Sequence, residues 1–197
     1  MNQRNIISHN FTDVISLENL FLCWQEFRKG KRNKPDVQQF EFNLEDNIFN
    51  LHSDLSSHVY RHSSYGTFHI CDPKYRVISK ASIRDRLVHH LVFKELYRIF
   101  EPNFIYHSYS SRVGKGTHLA VTNVSRCFRA TSRNYTRPVY ALKCDIKKFF
   151  WSVPHQKLLA IIKRRITDER FLLLTRELIN SFPRLANIQS ERERERE

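Results

Sequence analysis

Tyr140-Ala141-Leu142-Lys143-Cys144-Asp145-Ile146-Lys147-Lys148-Phe149-Phe150 is the stretch on which the fold turns. Val139 to Cys144 reads as a strand that ends at a carboxylate, and two aromatic rings follow at once. An acid at the carboxyl end of a strand, with the Ile146 backbone carbonyl beside it, suits a hard cation such as Mg²⁺, which takes oxygen ligands and substrate phosphates. Two-metal phosphoryl transfer uses such an acid together with at least one further carboxylate. Taken alone, an aspartate in this position also serves as an ordinary turn or helix N-cap residue.

Working outward, the chain around this segment is mostly helical. Leu17, Leu20, Phe21, Trp24 and Phe27 recur at helical spacing behind Ser16, which is placed to cap the helix. A second helix is expected over Val37–Ser57, with Phe40, Leu44, Ile48, Leu51 and Leu55 on one face. Thr67–Cys71 and Tyr75–Ser79 flank Asp72-Pro73-Lys74 and read as a β-hairpin with a basic tip. Further helices are expected over Ser82–Phe100, Leu119–Ala130, Pro154–Ile166 and Asp168–Ser181. Asn103–His118 reads as a loop containing Gly114-Lys115-Gly116. Phe40 and Phe93 are expected in the core. The predicted class is α+β, mostly helical.

Charge narrows the function. The 197 residues carry 33 Lys+Arg against 20 Asp+Glu, a formal net charge of +13. An anionic partner follows, nucleic acid before a membrane surface. With 41% hydrophobic residues the chain can bury a core, so global disorder is excluded. No apolar run approaches the length of a membrane span, and the N-terminus lacks the apolar stretch of a signal peptide. Cys23, Cys71, Cys127 and Cys144 form no CxxC pair, so a reduced, cytoplasmic protein without a zinc knuckle is expected. Five cations lie within Arg28–Lys34; they could touch phosphate or form a solvated helix exit.

Other motif readings fail on geometry. Gly114-Lys115-Gly116-Thr117 is no P-loop, because Tyr109 stands where its first glycine belongs. His89 and His90 are adjacent on a helix and point apart. His52, His58 and His62 lack cysteines at finger spacing.

Three blocks in order carry a resemblance. They are Asp72–His90 (DPKYRVISKASIRDRLVHH), Phe104–His118 (FIYHSYSSRVGKGTH) and Lys143–His155 (KCDIKKFFWSVPH). Together they resemble the fingers and first palm motif of prokaryotic reverse transcriptases of the group II intron and diversity-generating retroelement type. The resemblance implies the fingers and an incomplete palm of a right-hand polymerase. It divides the chain into an N-terminal helical extension (1–66), fingers (67–138), the start of the palm (139–182) and a charged tail (183–197).

It also implies roles. Asp145 matches the first metal-binding aspartate, with two Mg²⁺ ions in the complete enzyme and the Ile146 carbonyl as a further ligand. Phe150, beside Phe149, matches the ring under the sugar of the incoming nucleotide, where a 2′-hydroxyl finds no room. Arg76, with Lys74 as a weaker second cation, matches the fingers arginine that meets the dNTP. Arg84 and Arg86 open the fingers helix and are implied as template or primer contacts, and Asp85 is expected to tether one of them; a purely structural ion pair is the alternative. Arg112, Gly114, Lys115 and Gly116 match a loop against template and primer, with an ordinary turn as the alternative. The implied partners are an RNA template, a DNA primer and dNTPs, with no membrane.

The family's paired-aspartate motif is not in this sequence, and the composition shifts after Phe182 into a Glu-Arg repeat. The expectation is a truncation or frame change, with the missing C-terminal part of the polymerase as a possible partner. A chain so cut is expected to be inactive alone. The alternative is a non-catalytic basic RNA-binding protein derived from a fingers module.

Overall fold

The computed structural model describes residues 10–73 and 75–182. Lys74 and the Glu-Arg tail lie outside the described residues, so the expectations placed on them stay as they were. The described chain forms two compact units. One runs to Leu96 and resumes at Phe150; the other is Tyr97–Phe149.

The first unit is built on helices. A short α1 (Phe11–Val14) leads into α2 (Leu17–Phe27), whose first turn is capped by the Ser16 hydroxyl accepting from the Asn19 N–H at 3.3 Å. A cap of this kind satisfies an N–H that has no partner inside the helix. Ser16→Ala is expected to lower stability by about 1 kcal/mol, read as a shift in the urea midpoint with an unchanged slope. Leu20, Cys23, Trp24 and Phe27 bury the inner face of α2, as the spacing predicts.

The helix expected over Val37–Ser57 is two helices. α3 (Pro35–Phe42) and α4 (Leu44–Ser56) meet at Asn43, whose backbone (φ −116°, ψ 44°) leaves the helical region. Asn47 donates its side-chain amide to the Phe40 carbonyl at 2.9 Å and pairs a group the break releases. Ile48, Leu51 and Leu55 still line one buried face of α4. Phe40 is half-buried and packs on Trp24 with ring centroids 4.9 Å apart.

β1 (Gly66–Cys71) and β2 (Tyr75–Lys80) form the antiparallel hairpin, with Phe68 opposite Ile78 and Ile70 opposite Arg76. It is the only sheet among the described residues. Alternation puts Phe68, Ile70, Arg76 and Ile78 on one face. Both faces stand open to solvent, with Phe68 and Val77 each exposed.

α5 (Ile83–Phe100) follows, and Leu87, Val88, Leu91 and Val92 carry its buried face. Phe93, expected in the core, is instead 49% exposed, because it falls outside that stripe. After the 3₁₀ turn Glu101–Asn103, the second unit holds a loop and α6 (Thr117–Thr131). The chain then passes through a short α7 (Phe149–Ser152) to α8 (His155–Lys163) and α9 (Glu169–Ser181). Asp168 caps α9 by accepting from the Arg170 and Phe171 N–H groups, and its other oxygen accepts from the Phe11 N–H at 3.0 Å.

The strand expected over Val139–Cys144 is not a strand. These residues form no regular element and pair with no strand, and Tyr140 and Leu142 are more than nine-tenths exposed. β-propensity alone does not hold a strand; a neighbouring strand must take up its backbone groups. No described segment lies alongside to do so. The architecture is therefore α+β and predominantly helical, with a two-stranded sheet.

Candidate nucleotide and nucleic-acid interface

Arg76 sits on β2, one position past the start of the strand, in the first unit. It is exposed and makes no side-chain hydrogen bond or ion pair among the described residues. A guanidinium held on a hairpin and left uncommitted can receive a phosphate in bidentate fashion.

Arg84 and Arg86 are placed differently. Arg84 donates to Asp54 at 2.6 Å and lies over the Tyr60 ring at 4.6 Å. Arg86 donates to Asp36 at 2.5 Å, and Lys80 reaches the same carboxylate at 2.7 Å. Both arginines thereby tie α5 to the N-terminal helices. Asp85 does pair with Arg84, at 3.5 Å, a longer contact than its hydrogen bonds to Tyr60, Ser82 and Ser63.

Asp85 is the hub at the root of the hairpin, a role the sequence did not show. Its side chain is fully buried. One oxygen accepts from the Tyr60 hydroxyl at 2.8 Å; the other accepts from the Ser82 hydroxyl at 2.7 Å and the Ser63 N–H at 3.1 Å. Burial pushes its carboxyl up, but the hydrogen bonds from Ser82, Tyr60 and Ser63 and the charge of His62 outweigh it and hold it below the usual value. The same burial and the same bond drive the Tyr60 phenol well up. His62 lies against this hub, its Nε2 3.1 Å from His89 Nε2 and its ring stacked on Tyr65. Burial, then the charge of His62, pushes the His89 imidazole down. His90 points elsewhere and meets Glu26 at 3.2 Å, as the expected divergence of the two histidines requires.

In the second unit, the loop 104–116 is organised from within. Arg112 is 8% exposed at its side chain and pairs with Glu101 at 2.6 Å. It also donates to the Ile105 and Ser108 carbonyls at 3.0 and 3.1 Å. Lys115 donates to the Tyr106 carbonyl at 2.6 Å, with its ammonium 3.9 Å from the Tyr106 ring centre. Asn123 on α6 donates to the Tyr109 hydroxyl at 2.7 Å. Gly114 (φ +70°) and Gly116 (φ +128°) hold backbone conformations that side chains rarely adopt. Gly116 also stands at the N-cap of α6 without a side-chain acceptor, so the helix terminus is open. Glu101, Tyr106 and Tyr109 were missed from sequence, because an anchoring partner eleven positions away leaves no short motif.

Asp145 belongs to the irregular stretch before α7 and is exposed, as is Ile146. Lys148 adopts a left-handed backbone (φ 54°) that turns the chain into α7. Phe149 and Phe150 open that helix, both substantially exposed, while Trp151 behind them packs on Phe182 with ring centroids 4.8 Å apart. Among the described residues, no group of three or more His, Cys, Asp or Glu side chains is placed to hold a metal ion. A lone carboxylate such as Asp145 is not a site, so the residues present do not by themselves fit Mg²⁺.

An exposed hairpin carrying Arg76, a glycine loop opening a helix and an Asp-x-x-x-Phe-Phe segment are the three features on which the sequence resemblance rests. Residues 70–197 match the family described as reverse transcriptase (RNA-dependent DNA polymerase), and the chain belongs to that family. Among curated proteins it is similar to an uncharacterized 91 kDa protein in the cob intron of Schizosaccharomyces pombe. That likeness is 32% identity over 106 residues, 54% of this chain and 12% of that protein. It is 30% identical over 101 residues to Protein YkfC of Escherichia coli, covering 51% of this chain and 26% of the relative. An uncharacterized mitochondrial protein, ymf11, of Marchantia polymorpha is 26% identical over 98 residues, 50% of this chain and 12% of its own. The matched segment thus spans about a quarter or less of each relative's length. Among the described residues, no helix is long and apolar enough to cross a membrane.

Proposed function

We propose that this chain supplies the fingers and the first palm motif of an RNA-directed DNA polymerase of the group II intron or diversity-generating retroelement type. The observation that carries the reading is Arg76, an uncommitted guanidinium on an exposed hairpin inside the span matched by the family. In this reading Arg76, aided by Lys74, meets the triphosphate of a dNTP. Phe150, with Phe149 beside it, lies under the sugar. Lys115, the open start of α6 and the loop glycines Gly114 and Gly116 face the template–primer backbone, and Arg112 holds that loop in shape. Arg84 and Arg86 act mainly by fixing the fingers helix. The boundaries 1–66, 67–138 and 139–182 are proposed as extension, fingers and palm start.

Polymerases of this family generally use Mg²⁺. Asp145 is proposed as one carboxylate of that site, with the Ile146 carbonyl beside it. Its remaining ligands are proposed to come from polypeptide beyond this chain. Alone, the chain is therefore expected to extend a primer little or not at all.

The test is Mg²⁺-dependent extension of a DNA primer on an RNA template, with this chain alone and with the chain extended through the polypeptide encoded downstream. Product only from the extended protein supports the reading; no product from either rejects it. In an active protein, Phe150→Ala is expected to incorporate ribonucleotides at least about tenfold more readily relative to dNTPs, a change of roughly 1.4 kcal/mol in discrimination. Unchanged discrimination removes Phe150 from the sugar contact. The second reading, a non-catalytic basic RNA-binding protein, predicts RNA affinity that is indifferent to Mg²⁺ and falls steeply with salt.

A further inference from the structure

The turn between α2 and α3 lies outside the span matched by the family and has no part in the site above. Gly30, Lys31, Arg32, Asn33 and Lys34 wrap a cup of about 210 Å³. No carboxylate lines it. Gly30 adopts φ +70°, which lets the chain double back sharply enough to close the cup.

The backbone leaves donors unspent there. Lys31 N–H donates to the Arg28 carbonyl and Lys34 N–H to the Lys31 carbonyl. The N–H groups of Arg32 and Asn33 make no hydrogen bond among the described residues. The side chains tell the same story. Arg28 is held by Glu41, and Lys31 donates to the Phe27 carbonyl at 2.6 Å with its ammonium over the Phe27 ring. Lys29, Arg32 and Lys34 are exposed and pair with nothing among the described residues.

Every acid nearby is already engaged. Glu41 holds Arg28; Asp36 holds Lys80 and Arg86; Glu26 holds Lys94 and His90. Burial, then the charge of Arg86, lowers the Lys31 pKa.

We infer that the Arg28–Lys34 turn is a binding site for the phosphodiester backbone of a nucleic-acid strand, with one phosphate seated in the cup and its neighbours met by Lys29, Arg32 and Lys34. A strand suits it better than a lone anion, because cations spread along seven residues meet a repeating charge. A lipid surface suits it less, because the turn carries no apolar side chain to insert. The inference does not depend on polymerisation, and its assay contains neither Mg²⁺ nor nucleotide, so the two readings fail separately.

Binding of the full chain to a fluorescent single-stranded RNA is measured by anisotropy between 50 and 200 mM salt. The variant Lys29→Gln/Arg32→Gln/Lys34→Gln is compared with a control of equal charge loss, Lys157→Gln/Lys163→Gln/Arg176→Gln. All six residues are exposed, and far-UV circular dichroism checks that both variants keep the helical content. Loss of three single-strand phosphate contacts is expected to flatten the log–log salt slope by about 2, or about 20-fold less affinity lost over that salt range. The control is expected to keep nearly the parental slope. Equal slopes for the two variants, or a turn variant that binds like the parent, would overturn the site. Inorganic phosphate at matched ionic strength is expected to leave RNA bound; displacement by it would make the cup a site for a free anion instead. Phosphatidylserine vesicles form the last arm, and a turn variant that loses vesicles but keeps RNA would also overturn the proposal.

Discussion

Asp85→Ala is expected to cost about 3–5 kcal/mol of stability, the range for stripping one partner from a buried, hydrogen-bonded charge network. Its carboxylate is fully buried, and it serves the Tyr60 hydroxyl, the Ser82 hydroxyl and the Ser63 N–H at once. Alanine leaves all three donors without an acceptor and leaves a hole. Against a typical domain stability of about 5–15 kcal/mol, this is a large share. Asp85→Asn keeps the shape but turns an amide N–H₂ toward one of the two sides, and the fixed Ser63 N–H has nowhere to rotate. It is expected to recover less than half of the loss. Chemical denaturation of the two variants reads both values; a loss under about 1 kcal/mol for the alanine variant would refute the hub.

The pH dependence follows with its sign. The Asp85 carboxyl is held below its ordinary value in the fold. Its contribution is therefore present above the unfolded pKa of about 3.9 and is lost as pH falls through the folded value. His89 is also held down, so folding is opposed on its account once pH drops below about 6.5, where the unfolded imidazole gains its proton. Both effects act on the acid side. The denaturation midpoint is expected to fall first near pH 6 and again below pH 4, and the second fall is smaller in Asp85→Ala, where Glu26 and Asp36, also held below their ordinary values, still contribute.

What could be read from sequence divides along a physical line. α2 was legible because its cap, Ser16, and its buried stripe, Leu20, Cys23, Trp24 and Phe27, lie within one helix and need no partner to be recognised. The hairpin was legible because Asp72-Pro73 punctuates two β-branched and aromatic runs. The break at Asn43 was not, since the apolar residues of α3 and α4 continue one spacing across it. Val139–Cys144 misled for the opposite reason: its local preference is for a strand, but a strand exists only when paired.

The same line runs through the site. Asp85 was expected to tether Arg84 or Arg86, whereas their main partners, Asp54 and Asp36, lie thirty and fifty positions away. The expectations on Arg76 and the loop glycines rest on local signals, a strand position and the positive φ of Gly114 and Gly116. Asp145 could be named from its neighbours, whereas the company a metal ligand needs is a property of tertiary structure.

Asp145 is the residue whose removal tests the polymerase reading most directly. It is the one acid between Tyr140 and Ser152, and the Phe149-Phe150 pair behind it belongs to the same motif. If it is one of the acids at the metal site, its removal strips that site of a ligand no nearby residue of this segment can replace. A loss of at least about 10³-fold in rate is expected, roughly 4 kcal/mol of barrier, with folding little changed because the side chain is exposed. The most direct measurement is RNA-templated primer extension with Mg²⁺ by the chain joined to its downstream polypeptide, with Asp145 and with Asp145→Ala side by side. cDNA is expected from the first and none above background from the second, at equal thermal stability; cDNA made equally by both would remove Asp145 from the metal site, and the palm reading of this segment with it.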